Sequence, residues 1–234
     1  MIHLGELASP ELVRRVKGVI FDCDGVMVDS LEANTVFYNW FKQQCGLPPM
    51  DEEETAYVHA HSVKASLARI IPEELHPRVD ELRAQVDYRD LLPYIRMEPG
   101  LVSLLALLRS QGVSLAVNTN RTTTMELLLD HLGLHGFFFP VVTAGKVSMA
   151  KPHPEGVHYI LRTWGVAPSE AAYVGDSGVD ERTAQTSGVR FWAYKNPKLS
   201  AEMLVNDFGD LRRLFLRAVR EGGLNPDPDS GKSA

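Results

Sequence analysis

The sequence predicts an α/β fold: a doubly wound parallel sheet with a small all-helical domain inserted into it. Three observations point that way. After Pro99-Gly100, short apolar runs alternate with stretches of helical spacing, as parallel strands joined by crossover helices would. Near the start, 16–21 is a short apolar run ending in Asp22, which reads as a strand buried in a parallel sheet. Between them, 31–96 turns polar and charged, with apolar residues at helical spacing.

Taken in order, Ser9-Pro10-Glu11 has the form of a helix start, Ser as cap and Pro in the first turn, with a short helix running to about Arg15. Strand 16–21 follows. In 31–96, Val36, Phe37, Trp40 and Phe41 mark one apolar face, and Val63, Leu67, Ile70 and Ile71 another. Pro48-Pro49, Pro72 and Pro77 separate about four helices. The alternating part then reads helix 101–110, strand 113–117, helix 122–132, strand 141–143, helix 154–164, strand 171–174, helix 178–186, strand 189–193 and a last helix 208–219. Gly112, Gly133, Gly165 and Gly188 stand where helices should stop. The expected domains are 1–30 with 97–221 as the sheet domain and 31–96 as the helical domain, with 222–234 a loosely held tail. Phe137-Phe138-Phe139 reads as a core strand or part of an interface, the core being favoured.

A chain of 234 residues is long enough for one good core and a smaller accessory domain. No apolar run reaches the length of a membrane span, and the first ten residues lack the basic start and apolar stretch of a signal peptide, so a cytoplasmic protein is expected. The net charge of −6 argues against a nucleic-acid partner. It leaves room for a small anionic ligand, since a few local cations outweigh the overall field. Cys23 and Cys45 make no disulfide framework and read as reduced thiols.

Open parallel sheets bind ligands beyond the carboxyl ends of their strands. Three of the expected strands end there in polar groups: Asp22 and Asp24 after the first, Thr119 and Asn120 after Val117, and Asp176 after Gly175. Lys151 lies in a loop after another, and Asp180 follows Asp176 by four residues. Four carboxylates gathered at one sheet end repel, by roughly 4 kcal/mol for a pair about 4 Å apart at an effective dielectric near 20. They need a cation, or some must be protonated. Oxygen-only ligands select a hard ion, and Mg²⁺ suits a site that also holds phosphate. Asp180 has a second reading, a first-turn carboxylate favoured by the helix dipole. Gly25 suits a backbone turning sharply beside a phosphate. Cys23, between two residues that face the site, should point into the core.

These residues resemble the four motifs of the haloacid dehalogenase superfamily. Asp22-Cys23-Asp24-Gly25-Val26-Met27-Val28-Asp29-Ser30 is similar to DxDGxxxDS, Thr119-Asn120 to the second motif, Lys151-Pro152-His153-Pro154 to the KPxP form of the third, and Gly175 to Asp180 to GDSxxD. They occur in the family's order. The resemblance implies that Asp22 is the nucleophile and a metal ligand. It implies that Asp24 is the general acid and base, and a ligand through its backbone carbonyl. Thr119 and Asn120 would hydrogen-bond the phosphoryl group, Lys151 would offset its charge, Asp176 would bind Mg²⁺, and Asp180 would bind it or hold its waters.

Within the superfamily, the helical segment directly after the first motif matches the helical-cap subgroup, and the overall likeness is to phosphoglycolate phosphatases and their relatives. Dehalogenases of the family lack the acid that Asp24 supplies. β-Phosphoglucomutase has a His in the first cap helix where this chain has Asn34. The expected activity is therefore hydrolysis of a small phosphorylated metabolite. Phosphotransfer or sugar-phosphate mutation on the same aspartate, and non-catalytic phosphate binding, are the alternatives. Lys64 and Arg69 could contact substrate, but a solvated helix face is the better reading. His59 and His61 are expected to be exposed, and His153 is at most a minor substrate contact.

Overall fold

A computed structural model describes residues 1–4, 8–60 and 63–224, with only the backbone of His3 and Ala60. The chain divides into two compact units, Met1–Val28 with Met97–Ala234, and Asp29–Arg96. In chain order the elements are β1 (Ile2–His3), α1 (Glu11–Arg14), β2 (Gly18–Phe21), β3 (Val28–Asp29), α2 (Leu31–Gln44), α3 (Glu52–Ala60), α4 (Val63–Ile70) and α5 (His76–Arg83). Then come β4 (Arg96–Met97), α6 (Leu101–Ser110), β5 (Ser114–Thr119), α7 (Met125–His131), β6 (Val141–Thr143), α8 (Glu155–Trp164), β7 (Ala171–Gly175), α9 (Gly178–Ser187), β8 (Arg190–Tyr194), β9 (Met203–Val205) and α10 (Phe208–Arg220).

The first unit is the expected doubly wound parallel sheet. Its seven strands run in the order β1-β9-β8-β7-β2-β5-β6, and every pairing is parallel. The chain winds outward from β2 through β5 to β6, then crosses back to β7 on the other side of β2. The winding reverses at β2, and such a reversal leaves a crevice beyond the carboxyl ends of its neighbours. Register sets what meets there. Phe21 pairs with Val117 on one side and Val174 on the other. The residues just beyond β2, β5 and β7 therefore rise at nearly the same height.

The strands hold the sheet because they are apolar on both faces. Ile20, Ala116, Tyr173, Phe191 and Ala193 pack with Val157, Ile160 and Leu161 of α8 on one side. On the other, Phe21 meets Phe138 and Phe208 edge-on, and Tyr194 stacks on Phe208 at 4.5 Å. Burying side chains of this size stabilises by about 1.5–3 kcal/mol each. Asp207 caps α10, its carboxylate accepting the Asp210 N–H at 2.7 Å.

The second unit packs its helices around Tyr38, Phe41, Val58, Leu67, Ile70, Ile71, Val79 and Leu82. Trp40 and Phe37 lie edge-on to Phe41 at 4.9 and 5.0 Å. Lys42 is buried and paired with Glu54.

Several expectations need correction. Val63 is exposed rather than part of the apolar face, and Tyr38 takes a core place. His59 is half-buried, with Nδ1 buried and unpaired, instead of exposed. Helix 122–132 shortens to α7: Thr122, Thr123 and Thr124, stiff and able to bond locally, form the approach to the helix instead of its first turn. Residues 137–139 form no strand; Phe138 is buried while Phe139 is 72% exposed. Two strands at one side of the sheet, β1 at its edge and β9 beside it, were not expected. His61 and the tail from residue 225 on lie outside the described residues. Among the described residues, no helix is long and apolar enough to cross a membrane.

Candidate active site

Asp22 is the first residue past β2, its N–H donating to the Val174 carbonyl at 3.0 Å, so β7 fixes where it begins. The two-residue period then sends Cys23 into the core, fully buried, and returns Asp24 to the side of Asp22. Burial pushes the Cys23 thiol well above its ordinary value, as expected of an inert core cysteine. Gly25 follows at φ +75°, and a β-carbon there would stand 2.0 Å from Asp176 Oδ2. The turn thus needs glycine twice over, for its backbone and for the approach of Asp176.

Carboxylate oxygens of Asp22, Asp176 and Asp180 lie within 4.8 Å of one another. Lys151 Nζ sits between two of them, 2.7 Å from Asp22 Oδ1 and 2.7 Å from Asp180 Oδ1. Asp180 is fully buried in the first turn of α9. Ser177, the cap of that helix, accepts the Asp180 N–H and donates its hydroxyl to Asp180 Oδ2 at 2.5 Å. The Tyr173 hydroxyl is 3.1 Å from Asp180 Oδ1, and Lys151 Nζ lies over its ring. Asn196 Nδ2 donates to the Asp176 carbonyl at 2.8 Å.

One ammonium does not balance three carboxylates. Burial first, and then the Asp180 charge, pushes Asp22 up to about 8 against the opposing pull of Lys151. The same two causes push Asp176 up to about 6. Burial works against the Lys151 ammonium, but Asp22, Tyr173 and Asp180 overcome it and hold its pKa well above the ordinary value. An oxygen-only cluster short of positive charge fits a hard divalent cation. It could be held by Asp22, Asp176 and Asp180.

Thr119 ends β5, buried, and its Oγ accepts the Arg121 N–H at 3.2 Å, which leaves the hydroxyl hydrogen for another acceptor. Asn120 bonds the backbone of Lys151 in both directions, Oδ1 accepting from its N–H at 3.1 Å and Nδ2 donating to its carbonyl at 3.3 Å. A strand end therefore holds the loop that carries the ammonium.

The Asp24 carboxylate is not one of those three, though its charge also raises Asp22 and Asp176. It is held by Arg121, which donates from Nε to Oδ2 at 2.7 Å and from Nη2 to Oδ1 at 2.6 Å. Arg121 was missed by the sequence reading, as were Tyr173, Ser177 and Asn196. Its signal was its place directly after Thr119-Asn120, a cation at a strand end where carboxylates gather. His153 accepts the Glu155 N–H through Nδ1, a turn contact. In the helical unit, Lys64 is exposed and Arg69 pairs with Glu53 at 3.0 Å, as a solvated face would.

Residues 19–194 match the model of the haloacid dehalogenase-like hydrolase family. The chain is 27% identical over 217 residues to a phosphoglycolate phosphatase of Chromobacterium violaceum, covering 87% of this chain and 98% of that protein. It is 31% identical over 185 residues to a phosphoglycolate phosphatase of Rhodospirillum rubrum, covering 74% and 77%. Among solved structures, a HAD-superfamily hydrolase, subfamily IA, variant 1, of Geobacter sulfurreducens superimposes with a TM-score of 0.78 at 38% identity, covering 86% and 96%.

Proposed function

The chain belongs to the haloacid dehalogenase-like hydrolase family, and on that premise we propose that it is a Mg²⁺-dependent phosphatase that hydrolyses a small phosphorylated metabolite through a phospho-aspartyl intermediate on Asp22. Phosphoglycolate, the substrate named for its relatives, is the first candidate. The observation that carries the reading is the setting of Asp22: a buried carboxylate past the strand at which the winding reverses, touching one ammonium and gathered with two further carboxylates.

Mg²⁺ held by Asp22, Asp176 and Asp180, with the Asp24 carbonyl, would neutralise charge on the phosphoryl oxygens and on the cluster itself. The protein's own groups do the rest. An Asp22 oxygen attacks phosphorus; the bond from phosphorus to the ester oxygen breaks, and Asp24 gives that oxygen a proton, so the alcohol leaves neutral. Water then attacks the same phosphorus. Asp24 takes its proton, the bond to Asp22 breaks, and inorganic phosphate leaves with both aspartates restored. Thr119 donates its hydroxyl to the phosphoryl group. Asn120 keeps Lys151 in place and has a second amide hydrogen for the phosphoryl oxygens. Lys151 offsets the negative charge that accumulates beside Asp22. Gly25 lets the backbone pass close to this centre.

The test is phosphate release from a panel of small phosphorylated metabolites, phosphoglycolate and sugar phosphates included, with Mg²⁺ and then with EDTA. Metal-dependent release from one or a few members is expected. No release from any of them by the folded protein would sink the proposal.

A further inference from the structure

Resting on the reading of Asp24 as the acid and base, we infer that Arg121 is its positioning residue, a task the mechanism above leaves unassigned. The two parallel hydrogen bonds of the guanidinium fork, at 2.6 and 2.7 Å, fix the plane of the Asp24 carboxylate as well as its place. A single ammonium would fix only the place.

Arg121 is itself anchored. Its Nη1 donates to Thr124 Oγ1 at 3.3 Å, its N–H donates to Thr119 Oγ1, and its carbonyl accepts the Ala144 N–H at 2.9 Å. Its side chain is 12% exposed, against 41% for Asp24. A surface ion pair needs none of these restraints and gains little from them. Here they join Asp24 to Thr119, so that the acid and the phosphoryl donor keep one spacing while the ester sits between them. The fork occupies one lone pair on each Asp24 oxygen. Misplacing a reacting group by about 1 Å costs on the order of 10²-fold.

The test uses two esters that differ in their need for a proton. An alkyl phosphate such as phosphoglycolate leaves as a poor alkoxide; p-nitrophenyl phosphate leaves as a phenolate that needs no acid. The quantity compared is kcat/KM, which reports formation of the intermediate alone. Arg121→Ala is expected to lose about 10- to 100-fold on the alkyl ester and less than about threefold on the aryl ester. Asp24→Asn should show the same selectivity, larger. Arg121→Lys should restore part of the alkyl rate; should Arg121→Ala fail to fold, as judged by its melting curve, the same selective but smaller loss in Arg121→Lys carries the test. If the wild type hydrolyses neither ester, the phosphatase reading fails. An active wild type whose Asp24→Asn variant is selective, with Arg121 variants slowed equally on both esters, unchanged or faster, overturns the role of Arg121. An Asp24→Asn variant without selectivity overturns it as well, because there is then no acid to position.

Discussion

Asp22 and Asp24 are the same residue type, two positions apart, on the same side of one strand end, yet their surroundings differ. Asp22 is 7% exposed, touches an ammonium, and shares its space with two other carboxylates. Asp24 is partly open to solvent and clasped by a guanidinium. The inner region concentrates negative charge until a carboxylate resists ionising. The outer region gives its carboxylate a partner of fixed geometry and access to water. A nucleophile needs shielding and a cation to steady its product; a proton carrier needs orientation and reach. On the proposed mechanism, environment more than residue type divides the work.

The comparison can be broken most decisively at Asp22. Asp22→Asn should lower turnover by at least about 10⁴-fold while the melting transition persists. A steady-state rate well above that residue would show that the inner carboxylate is not the nucleophile, and the contrast with Asp24 would lose its meaning. Lys151→Met comes next. It keeps much of the side chain and removes the charge, and kcat should fall by about 10²–10³-fold on alkyl and aryl esters alike, since the charge it offsets forms with either. A loss confined to the alkyl ester would instead join Lys151 to the outer, proton-carrying region.

The smallest effect is on stability and sharpens the electrostatic half of the contrast. In metal-free protein, Asp22 is raised from 3.8 to about 8 and Asp176 from 3.8 to about 6. The folded state therefore binds more protons than the unfolded chain across that window. Its stabilising contribution is complete below 3.8 and is lost as pH rises through about 6 and then about 8. Melting temperatures measured in EDTA should fall over this range, Asp22→Asn should remove most of the slope, and Mg²⁺ should flatten it. A profile in EDTA with no downward slope would contradict the crowding of charge described above.

Much of the site could be read along the chain because each part is local. A strand that ends in Asp22, a strand that ends in Thr119-Asn120 and a Gly175-Asp176 pair before a helix all announce themselves within a few residues. Arg121 does not. Its partner is 97 positions away, and only the register of β2 against β5 brings the two together. Tyr173 was hidden for another reason: within a run of buried strand residues its hydroxyl gives no sign that it reaches Asp180. β1 and β9 escaped notice because strands of two or three residues carry no period to recognise; the pairing at that side of the sheet is what makes them strands. Residues 137–139 misled in the opposite direction. Three aromatic residues in a row look like a strand, but a turn places only Phe138 in the core and leaves Phe139 outside.

The crevice at the reversal of winding has one more consequence. Its walls come from residues 22, 119, 151 and 176, which no partial unfolding of a single segment can keep together. With a divalent cation in place, a small anion that bridges these walls therefore binds the native state and has nothing comparable to bind in the unfolded chain. Mass action then converts occupancy into resistance to global unfolding, about 2.7 kcal/mol at a hundred times the dissociation constant. The shape of the winding thus makes the whole molecule a reporter on its own ligand: a compound that fits the crevice can be recognised by how much heat the protein withstands, before any bond is broken.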